Sequence, residues 1–243
     1  MGCAFGQDRE SATATLTTRI VAERHAMLVI GDVHGKQDQY CYLTRHYRNR
    51  SEYSVQLGDV GFVYDDIADL DPEFHCFIPG NHDNYDNLPP QALKGSCGVL
   101  KRDDVQFFWV RGGLSVDKQW RVEGKSWWAA EELDLQQCEE TIELYRATKP
   151  DLVFSHDCPH SMVPLFITND AKITKSRTGQ LLDSLLDYHR PDFWIFGHHH
   201  QTKTVNVDRT MFQCLGELEI MEITQTDCTY FVRGIEQHKP WKE

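Results

Sequence analysis

The sequence predicts an α/β fold, and three observations support that prediction. Short apolar runs recur along the chain, and several end in glycine followed closely by a polar side chain, which is typical of buried strands that open into loops. Mixed polar and apolar stretches of helical length lie between these runs. The chain has 243 residues, of which 40% are hydrophobic, so it can bury a large core without a disulfide or a structural metal.

The first half of the chain is predicted to hold three strands that end in polar groups. The strand over 27–30 runs into Gly31-Asp32-Val33-His34-Gly35, and because side chains alternate along a strand, Asp32 and His34 point the same way. A helix over 36–49 follows, then a strand over 54–57 ahead of Gly58-Asp59 and a strand over 74–78 ahead of Gly80-Asn81-His82-Asp83. Strand ends of open α/β sheets tend to converge on one site, so these polar groups are expected to lie together.

The second half of the chain continues the alternation of strands and helices. It is predicted to contain strands over 105–110, 152–154 and 193–196, helices over 133–148 and about 175–189, and antiparallel strands within 204–223. The tryptophan-rich stretch 115–132 lacks strong periodicity and is predicted to form a long loop or lid. Residues 25–243 are predicted to form a single domain, residues 1–24 a weakly structured N-terminal extension and residues 237–243 a polar tail.

Composition and charge argue against several classes of protein. The formal net charge of −12 argues against a broad basic surface that coats nucleic acid, whereas a small anionic substrate stays compatible with bound divalent cations. No apolar run reaches transmembrane length and no signal peptide is visible, so neither a membrane span nor secretion is expected. The eight cysteines form no CxxC pair, which favours free thiols in a reducing compartment and a cytoplasmic location.

The predicted strand ends supply a set of metal-binding side chains. His198 and His200 follow the strand over 193–196 with the same alternate spacing as Asp32 and His34. Oxygen and nitrogen ligands without a thiolate suit manganese, iron, zinc, cobalt or nickel in preference to a Cys-type structural zinc. The candidate ligands are too many for one ion, and two ions would require a bridging carboxylate. The full set of polar groups is Asp32, His34, Asp59, Asn81, His82, His156, His198 and His200.

These motifs resemble, in order, those of the calcineurin-like metallophosphoesterases over about residues 27–200. The motifs are Asp32-Val33-His34, Gly58-Asp59, Gly80-Asn81-His82-Asp83, His156 and Gly197-His198-His199-His200. The resemblance implies a four-layer α/β/β/α sandwich with two mixed β-sheets. It also implies two divalent ions, with manganese expected first and iron, zinc, nickel or cobalt as alternatives. Asp32, His34 and His200 would bind the first ion, Asn81, His156 and His198 the second, and Asp59 would bridge them.

The same resemblance implies how the reaction proceeds. A hydroxide held between the two ions would attack phosphorus directly, without a phosphoenzyme. His82 lies next to a ligand but outside the ligand set, so it would stabilise the phosphorane-like charge or protonate the leaving oxygen, and Asp83 could orient the His82 ring.

The sequence departs from the protein Ser/Thr phosphatase branch of this family. Its second motif continues as Gly58-Asp59-Val60-Gly61-Phe62 without the arginine of that branch, and its third motif ends in Asp83 in place of Glu. The chain therefore looks more like a bacterial or phage-type enzyme acting on a small phosphoester. A phosphodiester is expected first, with a nucleotide or cyclic nucleotide among the candidates. The alternatives are a Ser/Thr protein phosphatase, a phosphomonoesterase and a non-catalytic metal-binding scaffold.

Four further residues are candidates for substrate binding. Trp127 and Trp128 could stack on a base, with Arg121 or Lys125 near phosphate, or the tryptophans could form a packed cap over the core. Arg111 could contact phosphate or form a salt bridge at a sheet edge. His160 is close enough to His156 in sequence to line the pocket. Cys158 is predicted to be a buried spectator, and the sequence leaves the oligomeric state open.

Overall fold

A computed structural model describes residues 26–48, 51, 53–102, 104–167, 174–226 and 229–234. Within these residues two mixed β-sheets pack face to face and helices cover the outer faces, which confirms the predicted four-layer α/β/β/α fold. The predicted extension 1–24 and the predicted tail 237–243 lie outside the described residues. The assignment of residues 25–243 to one domain stays a prediction.

The first sheet contains five strands among the described residues. They are β1 (Met27–Ile30), β2 (Tyr53–Gln56), β3 (His75–Phe77), β10 (Ile220–Thr226) and β11 (Thr229–Gly234). Their order is β11-β10-β1-β2-β3, with β1, β2 and β3 parallel and β10 antiparallel to β1. Helix α1 (Gln37–His46) covers the outer face of this sheet and buries Tyr40 and Leu43 against it.

The second sheet contains six strands in the described part of the chain. They are β4 (Cys97–Arg102), β5 (Val105–Val110), β6 (Leu152–Ser155), β7 (Phe193–Phe196), β8 (Lys203–Val207) and β9 (Thr210–Cys214). Their order is β4-β5-β6-β7-β9-β8, in which β5, β6, β7 and β9 run parallel and the edge strands β4 and β8 run antiparallel. Helices α2 (Leu135–Thr148) and α4 (Arg177–Tyr188) cover its outer face, and a short helix α3 (Val163–Phe166) lies between β6 and α4 in the sequence.

Side-chain caps fix where the two long helices of the outer layer begin. The Asp134 carboxylate accepts a hydrogen bond from the backbone N–H of Gln137, whose side chain returns to the backbone of Asp134 as a capping box. The Ser176 hydroxyl caps α4 by accepting from the backbone N–H of Gly179. Helix α2 ends at Lys149, which adopts a left-handed φ of 44° directly before Pro150.

The space between the two sheets is filled by side chains from both. Val29, Val55 and Leu57 of the first sheet and its loops pack against residues of the second sheet, among them Phe154 and Ile195. Each of these side chains is fully buried. This shared core holds the two sheets together, so that strand ends from both can face one site.

Two strands and one pairing differ from the prediction. Strand β4 was not predicted because it is a partly exposed edge strand, and β11 was not predicted because its sequence lies next to a polar tail. The antiparallel prediction for 204–223 holds for β8 with β9 and for β10, which joins the first sheet antiparallel to β1, but β9 pairs in parallel with β7 on its other side. Local alternation shows that a segment is a strand but does not show which strand it will join.

The cysteines and helices agree with the expectations drawn from composition. The six cysteines within the described residues are free, and Cys41, Cys76, Cys158 and Cys214 are buried. Among the described helices, each is too short or too polar to span a bilayer. A cytoplasmic location stays a prediction.

Candidate metal centre

The seven side chains predicted to bind metal lie at the ends of five strands from both sheets. Two follow β1, one follows β2, one follows β3, one follows β6 and two follow β7: Asp32 and His34, Asp59, Asn81, His156, and His198 and His200. The structure brings all seven together at one edge of the sandwich. Convergence of strand ends, which the sequence predicted, is therefore found across the two sheets.

A first group of possible ligand atoms comes from Asp32, His34, Asp59 and His200, whose atoms lie within 4.8 Å of one another. Oδ2 of Asp32 is 3.3 Å from Nε2 of His200 and 3.6 Å from Nε2 of His34. The Nε2 atoms of His34 and His200 are 2.8 Å apart. Two imidazoles and two carboxylates directed at one point form a ligand set that suits a divalent cation.

A second group lies beside the first and comes from Asp59, His156, His198 and Asn81. The ligand atoms of Asp59, His156 and His198 lie within 4.8 Å of one another. Nε2 of His156 is 3.2 Å from Nδ1 of His198 and 2.9 Å from Oδ1 of Asn81. The amide oxygen therefore completes a second set of oxygen and nitrogen donors.

Asp59 belongs to both groups and directs one oxygen toward each. Its Oδ2 is 3.7 Å from Nε2 of His34 in the first group, and its Oδ1 is 3.3 Å from Nε2 of His156 in the second. A single buried carboxylate shared in this way has the form of a bridging ligand between two ions. The donor set of these residues fits a pair of divalent metal ions.

The backbone at the site is held in an uncommon conformation. His34, Asp59, His198 and His200 have φ angles of 49°, 57°, 62° and 52°, in the left-handed region that residues other than glycine seldom occupy. Such a residue costs about 1–3 kcal/mol and persists only where the surroundings determine it, which is common at functional sites. Position 197 requires glycine for a steric reason, because a Cβ there would collide with the carboxylate of Asp32.

Hydrogen bonds behind the candidate ligands fix their orientation. Nδ1 of His156 lies 2.7 Å from the carbonyl oxygen of Leu57, which can only accept, so this nitrogen carries the proton and Nε2 offers its lone pair to the site. Nδ2 of Asn81 donates to Oγ of Ser115 at 3.1 Å, and that hydroxyl donates to Glu131 at 2.7 Å. This chain of contacts turns Oδ1 of Asn81 toward the second group.

For His198 and Asp32, the electrostatic environment favours the protonation states that bind metal. Burial lowers the pKa of His198 to about 4, so its imidazole is neutral at pH 7. Burial alone would raise the pKa of Asp32, but hydrogen bonds with His200 and His34 outweigh it and hold the pKa well below its usual value. A neutral imidazole and a charged carboxylate are the forms that coordinate a cation.

Asp83 supports the backbone of the site and does not contact the His82 ring. Its two oxygens accept hydrogen bonds from the backbone N–H groups of Asp59, Val60, Gly61 and Gly80 and from the Tyr64 hydroxyl. Burial, followed by the charge of Asp59, raises the pKa of Asp83 to about 7. The prediction that Asp83 orients the His82 ring is therefore wrong. Asp83 instead joins the loops after β2 and β3.

The His82 ring is instead held by Arg121. Nη2 of Arg121 donates to Nε2 of His82 at 2.7 Å, and the Phe62 ring stacks on the imidazole with centroids 6.1 Å apart. The backbone N–H of His82 donates to Oδ1 of Asp59 at 2.7 Å, which places His82 directly beside the shared carboxylate. The sequence analysis considered Arg121 near phosphate but did not connect it with His82, because the two residues are 39 positions apart.

A cavity of about 590 Å³ opens onto the candidate ligands. Its lining contains Asp59, Asn81, His82, His198, His199 and His200 at the strand ends, together with Leu114, Val116, Asp117, Arg121, Phe166, Ile167, Gln201 and Lys203. The size suits a small organic ligand, since such pockets typically measure about 300–1,000 Å³.

The four residues predicted to bind substrate lie outside the lining of this cavity. Arg111 is buried, and its guanidinium donates to the carbonyl oxygens of Gly95 and Ala130. Trp128 is buried and its Nε1 donates to Asp86 at 2.7 Å, so the alternative of a packed cap describes it better than base stacking. Trp127 is half-buried, with the Lys118 ammonium 6.0 Å from its ring centroid. His160 begins a short turn, His160–Met162, ahead of α3.

Cys158 is buried as predicted and contacts the loop after β7. Its Sγ lies 3.3 Å from Nε2 of His199, and the same nitrogen lies 3.2 Å from Oδ1 of Asp157. Burial raises the pKa of the Cys158 thiol well above its ordinary value, which keeps it protonated. These contacts join the loops after β6 and β7, which carry His156, His198 and His200.

Comparison with known proteins is consistent with this geometry. The family described as calcineurin-like phosphoesterase matches residues 26–202. A putative 5′-nucleotidase from Staphylococcus aureus, solved with α-ketoglutarate, has a TM-score of 0.51 and 12% identity over 87% of this chain and 53% of that chain. No curated protein sequence matches the chain.

Two further solved structures are similar at low identity. GAP50, described as the anchor in the inner membrane complex of Plasmodium, has a TM-score of 0.50 and 11% identity over 89% of this chain and 90% of its own. Phosphopantetheinyl hydrolase from Mycobacterium tuberculosis has a TM-score of 0.49 and 14% identity over 81% of this chain and 91% of its own. At these identities the 5′-nucleotidase and GAP50 support the fold alone.

Proposed function

The chain belongs to the calcineurin-like phosphoesterase family, and we propose that it hydrolyses a small phosphodiester with two divalent metal ions, manganese first. The observation that carries this proposal is the shared carboxylate of Asp59, with one oxygen directed at each group of ligand atoms. If only one ion were bound, one of the two groups of ligand atoms would coordinate no metal. Asp32, His34 and His200 would hold the first ion, and Asn81, His156 and His198 the second.

The protein and the ions have separate parts in this proposal. When bound, the ions would supply a water-derived nucleophile at neutral pH and neutralise charge on the phosphoryl oxygens. The buried carboxylates of Asp32 and Asp59 would hold the cations, and the backbone N–H of His82 fixes Asp59. His82 is the side chain that assists the leaving oxygen.

The state of the His82 ring defines what kind of assistance it gives. Burial lowers the pKa of His82, and the charge of Arg121 adds to this shift although Asp59 opposes it, so the ring is neutral at pH 7. Arg121 has no acceptor atom, so Nε2 must carry the lone pair and Nδ1 the proton. We therefore assign His82 a hydrogen-bond donor role toward the leaving oxygen.

The cavity supports a small substrate. Its walls beside the polar groups include the apolar side chains of Leu114, Val116, Phe166 and Ile167, which suit the organic part of a phosphoester. A nucleotide or cyclic nucleotide is one candidate of this kind. A phosphomonoesterase is the second candidate function, since the positive charges of Arg121 and Lys203 in the cavity lining would tolerate the extra negative charge of a monoester.

The first experiment compares hydrolysis of an aryl phosphodiester with that of the matching monoester by manganese-loaded wild type and by His82→Ala. We expect diester turnover that chelation abolishes and manganese restores. Loss of a general acid–base or donor side chain costs about 10²- to 10⁴-fold in rate, so His82→Ala should lose that much while retaining its metals. His46→Ala, an exposed histidine on α1, is the matched control and should keep wild-type turnover.

Three outcomes of this experiment would change the proposal. Monoester turnover alone would move the substrate class to phosphomonoesters. Full activity of His82→Ala would remove His82 from the reaction. Absence of turnover on both esters in a protein that holds two ions would favour a non-catalytic metal-binding scaffold.

A further inference from the structure

Arg121 occupies a position that its surroundings explain only in part. It lies in the tryptophan-rich segment and lines the cavity beside His82, with 13% of its side chain exposed. Its Nη2 atom is 2.7 Å from Nε2 of His82. A guanidinium that is nearly buried and directed at the reacting side of a cavity differs from a solvent-exposed arginine.

The guanidinium of Arg121 is fixed by its own segment. Nε and Nη2 donate to the two oxygens of Asp117 at 2.7 Å and 2.8 Å, and Nη1 donates to the carbonyl oxygen of Ser126 at 3.0 Å. With the bond to His82, four of its five N–H groups have acceptors. Within the described part of the chain, the remaining N–H on Nη1 has no hydrogen-bond acceptor, so the guanidinium is held in place with a donor to spare.

A planar, fixed guanidinium is the side chain best matched to phosphoryl oxygens. It donates two parallel hydrogen bonds to an oxyanion, and a preorganised fork loses little entropy when it does so. Its bond to His82 is to a neutral nitrogen, and a charged phosphoryl oxygen is a stronger acceptor for the same N–H group.

The other cations of this region do not have this placement. Lys125 is exposed and outside the cavity lining, and the donors of Arg111 are bound to carbonyl oxygens elsewhere. Lys203 also lines the cavity, but its Nζ donates to the carbonyl oxygen of Leu165 at 2.6 Å. Among the described residues, Arg121 is the cation in contact with His82.

We propose that Arg121 binds the phosphoryl oxygens of the substrate, with Asp117 as the positioning residue that holds its guanidinium beside His82. This inference rests on the proposed function, because it takes the ligand of the cavity to be a phosphoester. It gives the tryptophan-rich segment a defined part, which is to carry the phosphate-binding side chain to the strand ends. A bound phosphoryl oxygen accepts from Nη1, which has a spare N–H, and from Nη2, which it shares with Nε2 of His82.

The test measures equilibrium binding of inorganic phosphate to the manganese-loaded protein by titration calorimetry, which does not depend on turnover. Hydrogen bonds to charged groups are worth about 1.5–3 kcal/mol, so Arg121→Ala should raise the Kd for phosphate by about 10- to 100-fold. Lys125→Ala, a cation of the same segment outside the cavity, should change it less than about twofold. Metal content and the melting temperature are recorded for each variant.

Arg121→Lys provides a second variant in case Arg121→Ala does not fold. It keeps the charge and loses the fork, so its Kd for phosphate should lie between those of wild type and Arg121→Ala. Wild-type affinity in either folded, metal-loaded variant overturns the inference, and so does a wild type that binds two ions but no phosphate. Failure of wild type to hydrolyse any phosphoester would overturn the proposed function instead, since phosphate binding is measured separately.

Discussion

The two sides of the cavity are built from different kinds of structure. Four of the candidate metal ligands at the strand ends, Asp32, Asp59, Asn81 and His156, are each no more than 3% exposed, whereas half of the His200 side chain is exposed at the mouth of the site. Residues 114–131, here called the lid segment, also contribute to the cavity lining and include Trp120, which is 82% exposed. The strand ends are therefore fixed by the packing of two sheets, and the lid segment by hydrogen bonds and a few buried side chains such as Leu114 and Trp128.

The difference indicates how this molecule divides its tasks. Loops held on a rigid scaffold commonly carry binding residues, while the scaffold fixes the geometry that chemistry requires. Here the strand ends present the possible metal ligands, and the lid segment presents Arg121 and the apolar side chains Leu114 and Val116 to the same cavity. Substitutions on the two sides should therefore have effects of different size and kind.

The largest effect is expected on the strand-end side, from Asp59→Asn. An amide nitrogen cannot coordinate a cation, so the shared ligand would serve one group only. Loss of several kcal/mol of metal-derived stabilisation of the transition state corresponds to a fall of about 10³-fold in kcat/KM. Elemental analysis of the purified variant should show fewer than two ions per chain.

A matched acidic substitution separates this effect from a loss of charge. Asp187→Asn removes an exposed carboxylate on α4 and should leave metal content unchanged and stability within about 0.5 kcal/mol. An Asp59→Asn protein that retains two ions and wild-type turnover would contradict the bridging role assigned to Asp59.

A smaller effect is expected where the two sides meet, at Ser115. Its hydroxyl accepts from Asn81 and donates to the buried Glu131, so it connects the lid segment with the second group of ligands. Removal of such an orienting contact typically costs about 10- to 100-fold in metal affinity. Ser115→Ala should therefore weaken one of the two metal sites by that amount, as measured by competitive metal titration.

The selectivity of this effect is what distinguishes an orienting contact from a general loss of structure. Ser184→Ala, which removes a hydroxyl bonded to the Gln180 carbonyl on α4, should leave both affinities unchanged. Equal weakening of both sites in Ser115→Ala would show that the two sides of the cavity are not separable in the way described.

The strand-end side could be predicted from the sequence because its signal is local. An apolar run that ends in glycine and a carboxylate identifies a strand and its polar end, and the order of such runs indicates which ends converge. The bounds of β5 and β7 agree with the prediction for this reason. Two features were not predicted from the sequence: the edge strand β4, and the pairing of β10 with the first sheet.

The lid segment could not be predicted in the same way because its contacts join residues far apart in sequence. Arg111 and Arg121 both lie near glycine and aromatic residues, and nothing local shows which guanidinium is bound to carbonyl oxygens and which lines the cavity. The contacts of Asp83 could not be predicted from the sequence for a similar reason. Its closeness to His82 suggested a direct contact, whereas its oxygens accept from four backbone N–H groups and the Tyr64 hydroxyl.

The smallest effect is expected within the lid segment, from a pair of tryptophan substitutions. Trp128 is buried, donates to Asp86 and packs on Phe62 with ring centroids 5.5 Å apart, while Trp120 is almost fully exposed. Trp128→Phe loses one hydrogen bond and part of the ring, so it should destabilise the protein by about 1–2 kcal/mol. Trp120→Phe should change stability by less than about 0.5 kcal/mol.

Thermal unfolding distinguishes the two variants, because in a chain of this size each kcal/mol shifts Tm by about 2–4 °C. Phe62 packs on Trp128 and also stacks on His82, so the substitution of Trp128 should alter the position of the His82 ring through Phe62. We therefore expect Trp128→Phe to lower kcat by less than about tenfold, and Trp120→Phe to leave it unchanged. Equal Tm and kcat for the two variants would mean that Trp128 does not anchor the lid segment, and the contrast between a fixed side and a tethered side would then fail.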